Sequence, residues 1–555
     1  MRGWVRWCVR IIVQAAISAY RRIQALTRTD HQAYFPVSRR FHVSDIGGPL
    51  YSNKTGMLYC LKARAADEVT LSDDLTAVEI VAASAVGRRY EVPPGDDCVV
   101  PVAIQSTWLD RISDPLTYPS KTVPAKLTVG DVVTSLTIPV DRFTYLWLQQ
   151  GEQAVGSRLT SERDLIVGTP ISRRVLPSPQ LVLLVFVDGL SGLLLAREGV
   201  EHSLPGVAEF FASGACTLSG TSSAEWSLPS LAGIMTGQHT LTHGLFHPKA
   251  PQRLPAEEPL LSEVFQRHGF FTFQVCGNWR RNPSYGYARG FDRTIYRRSM
   301  PAGEVTNEFI ETVAAVKGRN IFAWTSFFDL HHDLRGDGSF ALGLSRTALH
   351  LESTLRQKSV RLGYDESKSA AFAARVRMLD QKLSGFLQQV SDIFGEAASV
   401  VLFSDHGQSF LDRDDHILSE GRVRVPLFLR GRRVPQGLLP ELVSNLDIFP
   451  TALALGGLDA AEYHGPGINL LSHAEGVYRD AVLSESVFPG APYACVLHTR
   501  EDRYVFSSGD SVSNTGLFSV DSIRPRDAGT AGEVRAQEVV AHVTSSRVFQ
   551  QKRPG

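Results

Sequence analysis

Asp405 and His406 stand side by side in the segment SDHGQS, directly after the apolar run at 398–404. A carboxylate next to an imidazole can supply two ligands to one divalent cation. Gly407 follows them and allows the backbone to turn sharply. A further carboxylate, Asp188, ends another apolar run at 181–187. This pattern indicates a metal site that contains Asp188, Asp405 and His406.

Ser227 lies in AEWSLPSLAGIMTGQHTLTHG, where Pro229 is placed like a first-turn proline. The spacing predicts that Ser227 is at or just before the start of a helix. Backbone amides and the helix dipole attract anionic oxygens, such as those of phosphate or sulfate, to this position. A serine becomes a good nucleophile when a metal lowers its pKa or a base takes its proton. The alternative is that Ser227 or Ser230 only caps the helix.

A third group of candidates follows the apolar run at 320–328 in FFDLHHDLR. Asp329 and His332 are three positions apart, with His331 between them, and His416 stands alone further on. These side chains could bind the leaving group or the anion, or they could complete a second metal site. A lone histidine on the surface is more often solvated and without a function.

From Gln180 onwards, apolar runs alternate with helical patterns, which is typical of an α/β sheet. Continuous apolar runs suit strands that are buried on both faces, as in parallel sheets. The runs at 181–187, 320–328 and 398–404 all end in an aspartate. Ligands of open α/β sheets bind at the carboxyl ends of strands. We therefore predict an α/β fold with a mixed, mostly parallel central sheet, helices on both faces and a site at its carboxyl edge.

The segment 41–148 differs, because short stretches of alternating apolar and polar residues are separated by Gly, Pro and Asp. This pattern predicts a small β-sandwich-like domain. The predicted organisation is an Arg-rich N-terminal helix (1–40), a β-rich accessory domain (41–148), a linker (149–179), the α/β domain (180–525) and a C-terminal tail (526–555).

Composition narrows the class of protein. The 57 basic and 57 acidic residues leave no net charge, so nucleic acid is not expected as a partner. The six cysteines lack close pairs, which favours buried thiols in a reducing compartment over a disulfide framework.

The first thirty residues contain six arginines before the first acidic residue, Asp30, and one apolar run at 11–20. This run is too short to span a bilayer, and no clear cleavage site follows it. The segment could lie on an anionic membrane surface or dock as a helix on its own domain. We predict a location in the cytoplasm or on the inner face of the membrane.

The order of these motifs resembles the sulfatase branch of the alkaline phosphatase superfamily over about residues 180–525. VFVDGLS is similar to the first strand and metal aspartate, and SLPSLAGIMTGQHTLTHG is similar to the nucleophile signature. The segments that follow in the family's order are QVCGNWRRNPSYGYARGFD, DHG, EGRVRVPLFLRG, VSNLDIFPTALALGGL, YHGPGINLL and YACVLHTREDRYVFSS.

The resemblance implies that Asp188, Asp405 and His406 hold a divalent metal, with Ser227 beside it as both ligand and nucleophile. Ser227 would attack phosphorus or sulfur, and water or an acceptor hydroxyl would then clear the intermediate. Further residues implied are His332, His416 and Arg280 as catalytic groups, and Asn278, His331 and Asp329 as substrate-binding groups.

Three departures from the family pattern bear on the substrate. Leu231 replaces the arginine that marks the nucleophile for conversion to formylglycine, so Ser227 is expected to stay unmodified. Asn278 and Arg280 stand where sulfatases carry lysine and histidine, and a single aspartate, Asp188, replaces the usual pair. These changes favour a phosphate ester, whose oxygens Arg280 and Arg281 could contact.

The prediction is a metal-dependent hydrolase of phosphate or sulfate esters, with phosphate favoured. The metal is Ca, Mg, Mn or Zn, and one ion is favoured over two. The partner would be a phosphorylated or sulfated small molecule, glycan or lipid headgroup. The alternatives are a sulfatase with formylglycine made from Ser227, a transferase of phosphorylated headgroups, and a non-catalytic relative that binds anionic glycans or a partner protein.

Overall fold

The computed structural model describes most of the chain from residue 77 onwards. The described residues are 38–42, 50–52, 58–60, 68–72, 77–81, 83–92, 97–104, 122–139, 143–148, 157–172, 175–248, 253–298, 300–330, 363–460, 463–475, 479–526 and 530–551. Residues 1–37 of the predicted N-terminal helix (1–40) lie outside them, as do His331 and His332, whereas residues 38–40 belong to a strand.

The strands fall into an N-terminal and a C-terminal group. The first group is β1 (Ser38–His42), β2 (Leu50–Ser52), β3 (Leu58–Cys60), β4 (Glu68–Ser72), β5 (Ala77–Val81), β6 (Ala83–Val92), β7 (Cys98–Ile104), β8 (Thr122–Val129), β9 (Val132–Pro139), β10 (Thr144–Leu148), β11 (Ser157–Gly168) and β12 (Ile171–Ser172). The second is β13 (Leu181–Val187), β14 (Ala215–Thr221), β15 (Phe271–Cys276), β16 (Arg293–Arg297), β17 (Ile321–Phe327), β18 (Ala398–Phe403), β19 (Arg424–Arg430), β20 (Gly437–Leu438), β21 (Val482–Ser486), β22 (Pro492–His498), β23 (Arg503–Ser511) and β24 (Arg524–Pro525).

The helices of the described residues lie mainly between the C-terminal strands. They are α1 (Gly192–Glu198), α2 (Val200–Ser203), α3 (Pro205–Phe211), α4 (Ser227–Thr236), α5 (Thr240–His243), α6 (Leu261–Arg267), α7 (Ala302–Ala315), α8 (Glu366–Phe394), α9 (Glu420–Val423), α10 (Ile448–Leu455), α11 (Thr530–Ser545) and α12 (Arg547–Gln550).

A large mixed sheet forms the centre of the molecule, in the order β2-β3-β5-β16-β15-β17-β13-β18-β19-β14-β20. The run from β16 to β18 is parallel, whereas β19 is antiparallel to both of its neighbours. The mixed α/β fold with several sheets is as predicted. Because β13 is parallel to both β17 and β18, the chain leaves these three strands at the same edge of the sheet.

Both faces of this sheet are covered by apolar side chains. Alternate residues of β13, beginning with Leu181, join a core with α1, α3, α7 and α8. The residues that begin with Val182 join a second core with α4, α6 and α10. Side chains of a strand alternate between its two faces, so an uninterrupted apolar run is what such a buried strand requires.

The N-terminal strands form a second, antiparallel sheet in the order β10-β7-β11-β8-β9, with β6 paired to β11 and β12 to β7. Strand β5 instead joins the central sheet beside β16. The predicted linker 149–179 contains β11 and β12. The alternation of apolar and polar residues that is typical of a strand is interrupted in β11 by the charged run 162–164. At this point the pairing of β11 with β6 shifts its register, between Thr160 and Leu165. The domain boundaries drawn from the sequence stay predictions.

A third sheet, in the order β21-β22-β23-β24, is formed by the C-terminal part of the chain. Val539 and Val543 of α11 and Val548 of α12 pack on it, together with Leu241 and Phe246 from the segment after α4. The predicted C-terminal tail 526–555 therefore contains two helices that pack against the body of the protein. Among the described helices, none combines the length and the apolar character that crossing a membrane requires.

Candidate active site

Two carboxylates and an imidazole meet at the carboxyl edge of the central sheet. Asp188 directly follows β13, and Asp405 lies two positions after β18. Ligand atoms of Asp188, Asp405 and His406 all lie within 4.8 Å of one another, and all three side chains are buried. The adjacency of two parallel strands thus brings together residues that are far apart in the sequence.

Each carboxylate has one oxygen that the protein binds and one that it leaves without a partner. Asp405 Oδ1 accepts hydrogen bonds from the backbone amides of Gly189 at 3.1 Å and His406 at 2.9 Å. Asp188 Oδ2 accepts a hydrogen bond from the side-chain Nδ2 of Asn278 and another, at 3.5 Å, from Ser227 Oγ. Asp188 Oδ1 and Asp405 Oδ2 are buried and have no hydrogen-bond donor among the described residues.

The charge of this pair is unfavourable without a cation. Burial raises the pKa of Asp188 well above its usual value, and the neighbouring charge of Asp405 raises it further. Two buried carboxylates with unpaired oxygens are costly, and a divalent cation offsets both the burial and the repulsion. The donor set of two carboxylates and an imidazole therefore fits a divalent metal ion.

The backbone sets the tautomer of His406. Its Nδ1 atom lies 2.7 Å from the carbonyl oxygen of Gly407, so Nδ1 carries the proton and donates it to this oxygen. The lone pair of Nε2 then points to the site, 3.2 Å from Ser227 Oγ and 3.4 Å from Asp405 Oδ2. Only glycine fits at position 407, because a Cβ atom there would lie 2.3 Å from the carbonyl oxygen of Gly421.

Ser227 is the first residue of helix α4, and Trp226 precedes it as N-cap. All ten residues of this helix are buried, and Ser227 itself is 3% exposed. Pro229 occupies the first turn, as the spacing predicts. The hydroxyl oxygen thus lies at the positive end of a helix dipole, beside Asp188 and His406.

The backbone carbonyl of Asp405 is bound by a network of polar side chains whose role was not predicted from the sequence. The hydroxyls of Ser222 and Ser230 both donate to its backbone carbonyl, Ser230 at 2.7 Å. Asn445 donates from Nδ2 to Ser230 Oγ at 2.8 Å and accepts the amide of Ser223 at 3.0 Å. Ser230 had one signal in the sequence, because it lies one helical turn after Ser227. No sequence pattern pointed to Asn445, which lies in the short 3-10 turn Asn445–Asp447 before α10.

Asn278 and Arg280 lie near the carboxylates. Both the nitrogen and the oxygen of the Asn278 side-chain amide form hydrogen bonds within the protein. Its Nδ2 donates to Asp188, and its Oδ1 accepts the backbone amide of Arg280 at 2.7 Å. The guanidinium of Arg280 lies 5.3 Å from the ring centre of Trp226 and 4.7 Å from that of Trp279. The structure thus holds Arg280 between two indole rings close to Ser227.

Arg281, the next residue in the chain, is packed among aromatic rings. It is fully buried, its guanidinium lies 3.6 Å from the ring centre of Trp324, and Nε donates to Gln274 at 3.1 Å. Burial lowers its pKa to about 10, which leaves it charged at neutral pH. Its Nη1 and Nη2 atoms are buried without a hydrogen-bond acceptor among the described residues, and the contact of Arg281 with a phosphate stays a prediction.

Asp329 and His416 have other partners in the described part of the chain. Asp329 Oδ1 forms an ion pair with Lys382 Nζ, and the two atoms are 2.7 Å apart. His416 Nδ1 accepts the backbone amide of Leu418 at 3.2 Å. Burial, and then the charge of Arg503, lowers the pKa of His416 to about 4, so this ring is neutral at physiological pH. No contact of either residue with the carboxylate pair is observed among the described residues.

Residues 180–458, half of the chain, match the protein family described as Sulfatase. A stretch of 142 residues is 28% identical to choline-sulfatase from Rhizobium meliloti, and it covers 24% of this chain and 28% of that enzyme. The chain therefore matches little more than a quarter of the length of this curated relative.

Similar solved structures include one from Bacteroides thetaiotaomicron, which belongs to work on its metabolism of multiple glycosaminoglycans. It is 14% identical, with a TM-score of 0.50, and covers 68% of this chain and 98% of its own. Phosphonate monoester hydrolase of Agrobacterium radiobacter is 15% identical, with a TM-score of 0.46, and covers 67% of this chain and 93% of its own. At an identity of 14%, the similarity to the Bacteroides structure concerns the fold alone.

Proposed function

The chain belongs to the sulfatase family of the alkaline phosphatase/sulfatase superfamily, and we propose that it is a metal-dependent ester hydrolase with Ser227 as nucleophile. Phosphate esters are its preferred substrates. The substrate is a phosphorylated small molecule, glycan or lipid headgroup, and the protein acts in the cytoplasm or at the inner face of the membrane.

The observation that supports this proposal most strongly is the position of the Ser227 hydroxyl. It lies 3.2 Å from His406 Nε2 and 3.5 Å from Asp188 Oδ2, at the start of a buried helix. A serine that only capped α4 would precede the helix, whereas the N-cap here is Trp226. Ser227 is therefore placed as a reacting group and not as a cap.

Asp188, Asp405 and His406 would hold one divalent metal ion, and Ser227 adjoins it. The buried oxygens Asp188 Oδ1 and Asp405 Oδ2 have no hydrogen-bond donor among the described residues, and the lone pair of His406 Nε2 points to the same site. When bound, the ion supplies Lewis-acid chemistry, which lowers the pKa of a hydroxyl and offsets charge on a transferred phosphoryl group. The described carboxylates and imidazole suffice for one ion.

The protein's own groups prepare the attack. The Ser227 hydroxyl lies 3.2 Å from His406 Nε2 and 3.5 Å from Asp188 Oδ2, and these two contacts orient its oxygen. Oγ forms a bond to phosphorus while the bond from phosphorus to the ester oxygen breaks, and the released alcohol gains the proton in the net reaction. Water then attacks phosphorus, the Oγ–phosphorus bond breaks, and phosphate and free Ser227 are restored.

The preference for phosphate over sulfate depends on an unmodified serine. A formylglycine releases sulfate by collapse of a hemiacetal, and a sulfated serine lacks this route. Leu231, at the place of the arginine that marks this modification, is fully buried in the apolar core on one face of the sheet. We therefore assign Ser227 as a plain hydroxyl that is phosphorylated during turnover.

Arg280 is assigned to the phosphoryl oxygens, because a planar guanidinium matches their geometry. Asn278 orients Asp188 and reaches the substrate only if it gives up that contact. His332 and His416 are proposed as further catalytic groups, and His331 and Asp329 as substrate-binding groups, as the resemblance implies. For His416, the neutral ring restricts the role to that of a neutral donor or acceptor.

Mass spectrometry of the peptide that contains Ser227 is combined with assays of generic aryl phosphate, phosphodiester and aryl sulfate esters. We expect unmodified serine and phosphoester turnover that depends on an added divalent cation and is lost in Ser227→Ala. Ser511→Ala, at an exposed serine of β23, is the matched control and keeps the activity.

Each other outcome selects an alternative. A formylglycine mass together with sulfate release identifies a sulfatase that modifies Ser227 by another route. Phosphoryl transfer to an added alcohol, without hydrolysis, identifies a headgroup transferase. No turnover of any ester with any divalent cation identifies a non-catalytic binding protein.

A further inference from the structure

Three aromatic rings meet next to the nucleophile. The ring centres of Trp226 and His247 are 6.2 Å apart, those of His247 and Phe488 are 4.9 Å apart, and those of Trp226 and Phe488 are 6.3 Å apart. These rings come from the residue before α4, the segment after α5 and the loop after β21. Rings at these distances and tilts attract one another, so the three form a closed, rigid triangle.

The position of this triangle ties it to the reacting group. Trp226 directly precedes Ser227, and its ring centre also lies 5.3 Å from the guanidinium of Arg280. Trp226 is 9% and His247 6% exposed, whereas Phe488 is half-buried and can be reached from solvent. An ester whose phosphoryl group reaches Ser227 and Arg280 would therefore bring its organic part close to these rings.

Charge decides which kind of organic group fits. Aromatic faces bind neutral rings, and they also bind cations such as quaternary ammonium groups. Here the guanidinium of Arg280 already lies over the Trp226 ring, so this ring has its cation contact within the protein. The surroundings thus favour a neutral ring over a cationic headgroup.

We propose that Trp226, His247 and Phe488 form the subsite for the organic part of the ester, and that this part carries a neutral ring. This inference rests on the proposed ester hydrolysis at Ser227. The ring is an aryl group or the C–H face of a pyranose, since both present a flat apolar surface. Phe488, from the loop between β21 and β22, is thereby a specificity residue for a site whose chemistry lies at the central sheet.

The test is calorimetric binding of ligands that are not hydrolysed by the protein. Phenylphosphonate, methylphosphonate and phosphocholine are titrated into the Ser227→Ala protein with a divalent cation, and α-glucose 1-phosphate provides the sugar arm. We expect phenylphosphonate or glucose 1-phosphate to bind about two- to tenfold more tightly than methylphosphonate. Phe488→Ala should bring this ratio close to one and leave methylphosphonate binding unchanged.

Phe210→Ala is the matched control, because Phe210 is also half-buried but packs on Phe211 and under Arg430, away from the site. If Phe488→Ala fails to fold, Phe488→Leu keeps the apolar bulk without the ring and allows the same comparison. Retention of the ratio in the Phe488 variant would overturn the proposal, as would tighter binding of phosphocholine than of both ring ligands.

The two proposals can fail separately. If the ring ligands bind more tightly through Phe488 but the wild-type protein turns over no ester, the subsite stands and the hydrolase proposal fails. If esters with and without a ring are turned over with equal KM and the binding ratio is one, the hydrolase stands and the ring subsite fails. Loss of the glucose 1-phosphate preference alone in the Phe488 variant identifies the ring as a pyranose.

Discussion

The Nε2 atom of His406 lies 3.2 Å from the hydroxyl oxygen of Ser227, although the two residues are 179 positions apart in the sequence. His406 is placed by strand β18, and Ser227 by the start of helix α4. The hydrogen bond from Nδ1 to the Gly407 carbonyl directs the lone pair of Nε2 towards the serine. Several expectations depend on this arrangement and on the carboxylates beside it.

Addition of a divalent cation should stabilise the wild-type protein. At a concentration of 100 times the dissociation constant, binding to the folded state alone adds about 2.7 kcal/mol to the free energy of unfolding. Denaturant titrations with EDTA and with each candidate metal measure this gain. Equal stability in EDTA and in saturating Mg, Ca, Mn and Zn would contradict a metal site at Asp188, Asp405 and His406.

Asp188→Asn should separate metal binding from stability. In EDTA we expect the variant to be more stable than the wild type, because it removes one of two neighbouring buried carboxyl groups. The stabilisation by added metal should be lost. Asp521→Asn, at an exposed aspartate, is the control. A variant that is less stable in EDTA yet still gains from metal would argue against this account.

Ser230→Ala removes one of the two hydroxyls that bind the carbonyl of Asp405. Residues that orient metal ligands typically change metal affinity by about 10- to 100-fold when they are replaced. We expect a loss of this size in calorimetric titration, with a decrease in the free energy of unfolding of about 1 kcal/mol. An unchanged metal affinity would show that the Ser222–Asn445 contacts hold Asp405 without Ser230.

Arg280→Ala should lower kcat/KM for phosphate esters by about 10²-fold, since a charge-assisted pair of hydrogen bonds to the phosphoryl oxygens is lost. Arg280→Lys should restore little of it, because lysine lacks the planar group that lies between Trp226 and Trp279. Arg432→Ala, at an exposed arginine, should keep the wild-type value. Full activity of Arg280→Lys would mean that the charge alone matters.

Glu225 should make the protein less stable as the pH rises. Burial raises the pKa of Glu225 to about 7, against the opposing hydrogen bond from Ser486. The folded protein then binds more protons than the unfolded chain between the model-peptide value of 4.5 and about 7. Since stability falls with pH wherever the folded state binds more protons, about 3 kcal/mol is lost across this window.

Glu225→Gln should abolish this loss, and the test compares the pH dependence of unfolding in EDTA between the two proteins. The difference between the curves is the quantity of interest, because buried histidines such as His239 contribute with the opposite sign in both. Glu501→Gln, at an exposed glutamate, should follow the wild-type curve. Parallel curves for Glu225→Gln and wild type would contradict the raised pKa.

The candidate site could be predicted from the sequence where a residue type coincides with the end of a buried strand. Asp188 and Asp405 both end apolar runs, and strands of this kind lie side by side. Asn445 and Ser222 could not be predicted, because their role comes from hydrogen bonds to Ser230 and Asp405 across the fold. Strand β11 was assigned to a linker, because a register shift interrupts its alternating pattern.

Arg280 and Arg281 show the same limit at adjacent positions. Both are arginines that follow Asn278, and the sequence offers no reason to treat them differently. The tertiary structure places one between two indoles beside Ser227 and buries the other over Trp324. Which side of the chain faces the site depends on the turn at Trp279–Arg281, and this turn is held by the contact of Asn278 with Asp188.

The sequence by itself determined the α/β class, the family and the start of the helix at Ser227, because these follow from local patterns of apolar residues, prolines and motif order. The tertiary structure alone decided the proton position on His406, the unpaired oxygens of the two carboxylates, the partners of Asp329 and His416, and the aromatic triangle that includes Phe488. Each of these depends on distances between groups that are remote in the chain, and such distances exist only once the sheets have packed.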